Sequence, residues 1–308
     1  MARVVLVHGI AQSLKSADTL ESTWLPALAG GIRNAGYSEL ADRLWRDQRP
    51  GDLTARMAFY GDLYRTPGAQ GPGDLQATDP EAIELEQQLA LAWLTAAAER
   101  APDANDRRAA QQAIAQLTPT SGAQGLGAVG SVALDRLARI RWLAPVGFGF
   151  AAAFVKQALR EVSLYLTDPT IRVTAQNRVL GQIDEETQLV IAHSLGSVVA
   201  YEALHRTDQK VALITIGSPL ALRTIIYERI QPQPPSVPPS VMGWSDFADR
   251  DDLIAVHTSL QDDFAPGAGS ATSVNPTFRV DNGRHAHDAG HYLTDKSLGH
   301  AAAEALST

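Results

Sequence analysis

The chain has 308 residues, of which 45% are hydrophobic, and a formal net charge of −8 at pH 7. Length and composition suffice for the core of one large domain that carries an insertion. The net charge is negative and nothing in the sequence suggests the basic stripe of an electrostatic nucleic-acid binder, so we expect no nucleic-acid partner. The sequence contains no cysteine, which excludes disulfides, thiolate catalysis and cysteine-based zinc sites.

The sequence shows neither a secretory signal nor a membrane span. Only four consecutive apolar residues precede His8, fewer than the apolar region of a secretory signal. The longest apolar run, 142–155, contains Pro145 and two glycines, and it is too short to cross a bilayer. We therefore expect a cytoplasmic protein with no stable membrane span.

The first 65 residues predict the beginning of an α/β domain. The run 3–9, rich in β-branched residues and ending at Gly9, predicts a buried parallel strand. A helix is expected next, with Thr19 or Ser22 as its N-cap and its end near Gly36. A second strand is predicted over 56–62.

Residues 66–166 differ in composition and predict an inserted helical cap. The segments 81–117 and 131–166 have helical composition, the first broken near Pro102, and Pro/Gly-rich stretches at 66–80 and 118–130 precede them. The stretch 125–130 spells G-x-G-x-x-G. It lacks the preceding strand and the later acidic residue of a dinucleotide site, so we interpret it as a linker. The apolar run 142–155 predicts a buried cap helix, which is compatible with its being an apolar wall of the substrate site.

Alternation of strands and helices resumes after residue 166. We predict a helix over 169–184, strands over 188–193, 211–217, 239–247 and 277–280, and helices over 195–206 and 294–306. Short apolar strands that alternate with helices predict an α/β fold with a mostly parallel sheet and helices on both faces. Residues 1–65 and 167–308 would form this core.

The segment Ala192-His193-Ser194-Leu195-Gly196 lies between a predicted strand and a predicted helix. A nucleophile at such a turn has a strained backbone that presents its hydroxyl, and small residues two positions away let strand and helix approach. Ala192 and Gly196 are small, although the usual first glycine is missing. Ser194 is the candidate nucleophile, and the Leu195 N–H is a candidate oxyanion donor. The alternative is an ordinary small-residue turn.

The end of the first predicted strand, His8-Gly9, suggests a second oxyanion donor. Gly9 lets the backbone turn close to a reacting atom, and in folds with a nucleophile elbow the loop after an early strand supplies this donor. The Ile10 N–H is the first candidate and the Ala11 N–H the second. We interpret His8 as a residue that positions this loop rather than as a base.

These segments resemble the α/β-hydrolase superfamily, and among its members the lipase- and esterase-like serine hydrolases. The resemblance rests on VVLVHG near the start, AHSLG in the middle, an Asp after a late strand and a His near the end, in the chain order Ser…Asp…His. It covers 1–65 and 167–308. Two strands that usually precede the strand ending in His-Gly have no counterpart here.

The resemblance also implies a catalytic acid within 243–256, where Asp249, Asp251 and Asp252 compete. In the family the acid is followed by short apolar residues. This matches the residues after Asp252 and favours it, while a looser G-x-x-D spacing, with Ala248 in place of glycine, favours Asp251. The acid would orient the catalytic base and stabilise its protonated form.

The base is expected between the last strand and the terminal helix, where His285, His287 and His291 lie. The family's His-Asp pair followed by Tyr-Leu matches His287 best. Three histidines within seven residues also suggest a metal site. However, the H-x-H-x-D-H pattern of metallo-hydrolases would need an Asp and a His where Ala289 and Gly290 stand, so we predict no metal site.

The resemblance implies a serine hydrolase that needs no cofactor and cleaves a small-molecule acyl ester, including lipid-like esters, through an acyl-enzyme on Ser194. Three alternatives remain open: an acyltransferase or thioesterase with the same triad, a peptidase with the same triad, and a non-catalytic binding protein on the same fold.

Overall fold

The computed structural model describes residues 2–46, 53–65, 79–117, 137, 148–255, 260–267 and 272–307. The chain divides into two compact units. The first unit comprises Met1–Tyr60 and Val173–Thr308, and the second, which we call the helical unit, comprises Gly61–Arg172. The predicted insertion, 66–166, begins and ends a few residues inside the limits of the helical unit.

Within the described part of the first unit, six strands form one all-parallel sheet in the order β2-β1-β3-β4-β5-β6. The strands are β1 (Val4–Val7), β2 (Ala55–Ala58), β3 (Leu189–His193), β4 (Val211–Ile216), β5 (Val241–Asp249) and β6 (Phe278–Val280). Each overlaps a strand predicted from the sequence. Because β5 extends to Asp249, the acidic cluster follows directly at its carboxyl end.

The α-helices of the described residues, in chain order, are α1 (Ala17–Asn34), α2 (Ser38–Trp45), α3 (Pro80–Arg100), α4 (Ala104–Leu117), α5 (Phe148–Thr167), α6 (Pro169–Leu180), α7 (Leu195–Leu204), α8 (Leu260–Asp263), α9 (Ala289–Thr294) and α10 (Lys296–Ser307). The chain winds from β1 to β2 in one direction along the sheet and from β3 to β4 in the other. Since such crossovers are right-handed, α1 and α7 lie on opposite faces of the sheet. On one face, α1 packs against α9 and α10 over a core that includes Leu28, Ile191 and Phe247.

The sequence prediction missed the start of α1 and the short helix α9. The N-cap of α1 is Ser16, three residues before the earliest predicted cap, because Ser16 and Thr19 form a capping box in which each side chain accepts a hydrogen bond from the other's N–H. The predicted terminal helix, 294–306, corresponds to α10, and the short helix α9 precedes it. The carboxylate of Asp295 accepts from the N–H of Ser297 and starts α10 anew.

In the described part of the helical unit, α3 packs against both α4 and α5. The helices α3 and α4 are interrupted between Arg100 and Ala104, where Pro102 predicted a break. The buried Glu86 of α3 is paired with Arg160 of α5. The G-x-G-x-x-G stretch at 125–130 and residues 142–147 of the apolar run lie outside the described residues. Within the described ranges, no helix combines the length and hydropathy required to cross a bilayer.

Candidate active site

The carboxyl ends of β1 and β3 meet where the chain reverses its winding direction. In an open parallel sheet the loops that leave two such strands diverge to opposite faces, and the crevice between them is the usual ligand site. The loop after β1 carries Gly9 and Ile10, and the turn after β3 carries Ser194. The two sequence segments with the strongest chemical signals are therefore neighbours in space.

Ser194 occupies a strained turn between β3 and α7. Its backbone has φ 54° and ψ −130°, a conformation that costs a non-glycine residue about 1–3 kcal/mol. A Cβ on Gly196 would lie 2.3 Å from the His8 carbonyl oxygen, and a Cβ on Gly9 would lie 2.7 Å from the Ser194 Cβ. The turn thus requires glycine at both positions, because the loop after β1 runs directly against it.

Three side chains form a continuous hydrogen-bonded chain at this turn. The Nε2 atom of His287 lies 3.0 Å from Ser194 Oγ, and its Nδ1 atom lies 2.7 Å from Asp252 Oδ2. The Asp252 carboxylate can only accept, so the neutral imidazole carries its proton on Nδ1 and presents Nε2 as the acceptor for the Ser194 hydroxyl. This arrangement allows proton transfer from Ser194 to His287.

The Asp252 carboxylate is fully buried and held from several sides. Its Oδ1 atom accepts from the N–H of Ile254 and of Ala255, and its Oδ2 atom also accepts from the Tyr292 hydroxyl at 2.9 Å. Burial by itself raises the pKa of Asp252, but the His287 ring and these donors outweigh burial and leave the pKa below its ordinary value. Asp252 therefore stays ionised beside His287.

The two competing acids have other surroundings. The Asp249 carboxylate accepts from the N–H of Asp251 and of Asn282, and burial raises the pKa of Asp249. The Asp251 carboxylate lies 3.7 Å from the Arg250 guanidinium. Of the three candidates, Asp252 is the one that hydrogen-bonds to His287.

The two other histidines of the loop lie beside each other. The rings of His285 and His291 stack with centroids 4.8 Å apart, and His291 Nδ1 is 3.1 Å from the Asp288 carboxylate. Among the residues that the structure describes, no group of three or more His, Asp or Glu side chains could hold a metal ion.

The two candidate oxyanion donors flank the elbow. The Leu195 N–H is the first of α7, where N–H groups have no intrahelical acceptor, and Ile10 follows Gly9 in the loop that touches Ser194. In the described part of the chain, no oxygen accepts a hydrogen bond from either N–H. Both are therefore available to a substrate oxygen. Ala11, the second candidate in this loop, has φ 59°.

Three further residues hold the site, and sequence reasoning assigned them no role. His193 Nε2 donates to the His287 carbonyl oxygen at 2.9 Å. Burial lowers the pKa of His193 to about 3, so this ring stays neutral and ties His287 to the strand that precedes Ser194. Tyr292, besides contacting Asp252, accepts from the Asp249 N–H at 2.8 Å. Gly217 has φ 55°, and a Cβ there would lie 2.9 Å from Asp252 Oδ2.

Among these three, Gly217 alone has a local sequence signal, a glycine at the end of a predicted strand. The roles of His193 and Tyr292 depend on contacts with residues 94 and 40 positions away, which no local pattern indicates.

No protein-family profile, no curated protein and no solved structure matches the chain. What this site can do chemically therefore follows from its own atoms. A serine hydroxyl that can pass its proton to a neutral imidazole, itself paired with a buried carboxylate, can attack an electrophilic carbonyl carbon.

Proposed function

We propose that this protein is a serine hydrolase of the α/β-hydrolase type, which cleaves carboxylic esters through an acyl-enzyme on Ser194. The observation that carries the proposal is the hydrogen-bonded chain Ser194–His287–Asp252 at a strained turn. The parallel sheet, the position of the turn at the switch point and the two unengaged N–H groups agree with it. A non-catalytic protein would have no use for a strained serine whose hydroxyl is paired with a base.

In the first half-reaction, Ser194 Oγ attacks the ester carbonyl carbon while His287 Nε2 takes the hydroxyl proton. The carbonyl oxygen becomes an oxyanion and accepts hydrogen bonds from the N–H of Leu195 and of Ile10, each worth about 3 kcal/mol in the transition state. Asp252 stabilises the imidazolium and holds its ring orientation. When the tetrahedral intermediate collapses, His287 passes the proton to the leaving alcohol, and the acyl group remains on Ser194.

In the second half-reaction, water takes the place of the alcohol. His287 removes one proton from water as its oxygen attacks the acyl carbon, and the same two N–H groups hold the second oxyanion. Collapse of this intermediate returns the proton to Ser194 Oγ and releases the carboxylic acid. The cycle uses one water per ester and leaves the enzyme unchanged.

The experiment that tests the proposal is turnover of p-nitrophenyl esters, from acetate to palmitate, by the wild type and by Ser194→Ala. A matched control is Ser240→Ala, since Ser240 is fully buried and donates to the Leu204 carbonyl away from the triad. We expect Ser194→Ala to lose turnover and labelling by a fluorophosphonate probe, while Ser240→Ala keeps both. The acyl-length profile of the wild type then indicates the substrate class.

A wild type that neither turns over any ester nor reacts with the fluorophosphonate would overturn the proposal and favour the binding-protein alternative. A wild type that labels at Ser194 yet hydrolyses no ester would contradict ester hydrolysis while keeping the nucleophile. Thioesters, peptides and acyl acceptors other than water would then be the substrates to test.

A further inference from the structure

The two candidate oxyanion donors belong to two peptide units, Gly9–Ile10 and Ser194–Leu195. In a planar peptide unit the C=O and N–H directions are coupled. A group that holds the carbonyl of Gly9 therefore orients the N–H of Ile10, and a group that holds the carbonyl of Ser194 orients the N–H of Leu195. Each of these two carbonyl oxygens accepts a short hydrogen bond from a buried side chain.

On the β1 side, this side chain is His8. Its Nδ1–H donates to the Gly9 carbonyl oxygen at 2.7 Å, and its Nε2 atom accepts from the Tyr60 N–H at 3.0 Å. Because Nε2 is an acceptor, the ring proton sits on Nδ1, and the direction of the bond to Gly9 is defined. The ring is buried and stacks on Tyr60 with centroids 4.1 Å apart, so it has little freedom to turn.

On the β3 side, the side chain is that of Ser197, in the first turn of α7. Its hydroxyl donates to the Ser194 carbonyl oxygen at 2.6 Å, and its own N–H donates to the same oxygen at 2.9 Å. The hydroxyl proton of Ser197 is thereby used, so Ser218 must donate in the 2.7 Å contact between the two hydroxyls. The Leu220 N–H in turn donates to Ser218. These hydrogen bonds therefore all point the same way, from the loop after β4 to the Ser194 carbonyl oxygen.

We propose that His8 and Ser197 are positioning residues of the oxyanion hole, each acting through the peptide carbonyl that it holds. A hydrogen bond to a carbonyl polarises the peptide and makes its N–H a stronger donor. It also fixes that N–H in advance, so the oxyanion forms without reorganisation of the hole. The inference rests on the proposed function and extends it to two side chains that touch no substrate atom.

The test compares Ser197→Ala with Ser240→Ala in turnover of p-nitrophenyl acetate. Both serines are fully buried, and each hydroxyl donates to a backbone carbonyl at 2.6 Å, so both variants lose such a bond, and Ser197→Ala also loses the contact with Ser218. Removal of a whole oxyanion donor costs about 10²–10³-fold in kcat, and a donor that remains but is weakened should cost about 10-fold. We expect that loss in kcat for Ser197→Ala, with KM changed less than about 2-fold, and no loss in kcat for Ser240→Ala.

A second pair of variants tests the β1 side independently of Ser197. His8→Leu removes the donor to the Gly9 carbonyl, whereas the amide nitrogen in His8→Asn can replace ring Nδ1. We expect about a 10-fold lower kcat for His8→Leu and partial recovery for His8→Asn. The affinity for phenylboronic acid, whose tetrahedral adduct with Ser194 places an oxygen in the hole, should fall by the same factor as kcat/KM in each variant.

The failures of the two proposals are distinguishable. If the wild type has neither turnover nor fluorophosphonate labelling, the proposed function is wrong and the inference falls with it. If the wild type is active but Ser197→Ala matches Ser240→Ala in kcat and boronate affinity, the inference alone is wrong. The same holds if His8→Asn and His8→Leu do not differ. Should Ser197→Ala fail to fold, the two His8 variants decide.

Discussion

Gly217 follows β4 directly and lies against the contact between Asp252 and His287. Its φ of 55° lies in the left-handed region, and a Cβ at this position would lie 2.9 Å from Asp252 Oδ2 and 3.1 Å from His287 Nδ1. Ordinary van der Waals contact begins at 3.4 Å. In Gly217→Ala the carboxylate would therefore have to withdraw from 2.9 to 3.4 Å, and the ring from 3.1 to 3.4 Å. Both displacements disturb the hydrogen bonds that link Asp252 through His287 to Ser194 Oγ.

The loss of activity follows from the usual cost of misplacing a catalytic group. A misplacement of 1 Å in a catalytic array costs about 10²-fold, so a shift of roughly half that size should lower kcat/KM about 10-fold. Stability should also fall, by about 1–2 kcal/mol for the left-handed backbone and by about 1–3 kcal/mol for overpacking.

Gly283 offers a matched control for the backbone effect. It has φ 58°, and a Cβ there would meet nothing within 4 Å, so Gly283→Ala has the strain without the clash. The assays are kcat/KM for p-nitrophenyl acetate and thermal unfolding. We expect Gly283→Ala to lose about 1 kcal/mol of stability and to keep wild-type kcat/KM. If the two alanine variants have equal kcat/KM and equal melting temperatures, the reasoning from the Gly217 contact is refuted.

Two further predictions concern buried carboxylates. Asp252→Asn should lower kcat about 10⁴-fold, because the amide cannot hold the required His287 tautomer. Asp251→Asn should keep kcat within about 3-fold of the wild type. A larger loss for Asp251→Asn than for Asp252→Asn would show that Asp252 is not the acid. Burial raises the pKa of Asp246 from 3.8 to about 6, so the folded protein binds the proton of this carboxyl more tightly than the unfolded chain does. The stability gained from this protonation is complete below pH 3.8 and is lost as the pH rises through 6. Asp246→Asn still accepts from the Thr215 hydroxyl and should raise the free energy of unfolding by up to about 3 kcal/mol at pH 7, with no gain near pH 4. Urea unfolding at both pH values measures this difference, and an equal gain at both would contradict it.

The strands were predictable because burial on both faces of a parallel sheet demands continuous apolar runs. The run 188–193 and the run 211–217 each overlap a strand of the sheet, β3 and β4. The turn at Ser194 was predictable for a related reason, since a strand, a small-residue turn and a helix follow one another within a few positions. Its φ of 54° is the strained backbone expected there.

Helix limits were less predictable, because they depend on which of several capping groups is used. Ser16, Thr19 and Ser22 are all suitable caps, and the reciprocal bonds between Ser16 and Thr19 selected the first. Near the C-terminus, Asp295 begins α10 close to its predicted start, whereas the short helix α9 before it was not predicted. One hydrogen bond can decide where a helix begins, and composition does not show which of several neighbouring capping residues forms it.

By itself the sequence determined the order of strands and helices, the position of the elbow and the small sets of residues from which an acid and a base could come. The first two are local properties of consecutive residues, whereas the third also rests on the resemblance to a known family. Only the tertiary structure decided that Asp252, rather than Asp249 or Asp251, lies against His287, and that Tyr292 holds it there. Those contacts join the loop after β5 to α9 and the loop before it, and their distances depend on strand register and helix packing. The three aspartates are chemically alike in the sequence, but of the three it is Asp252 that directs its carboxylate towards His287.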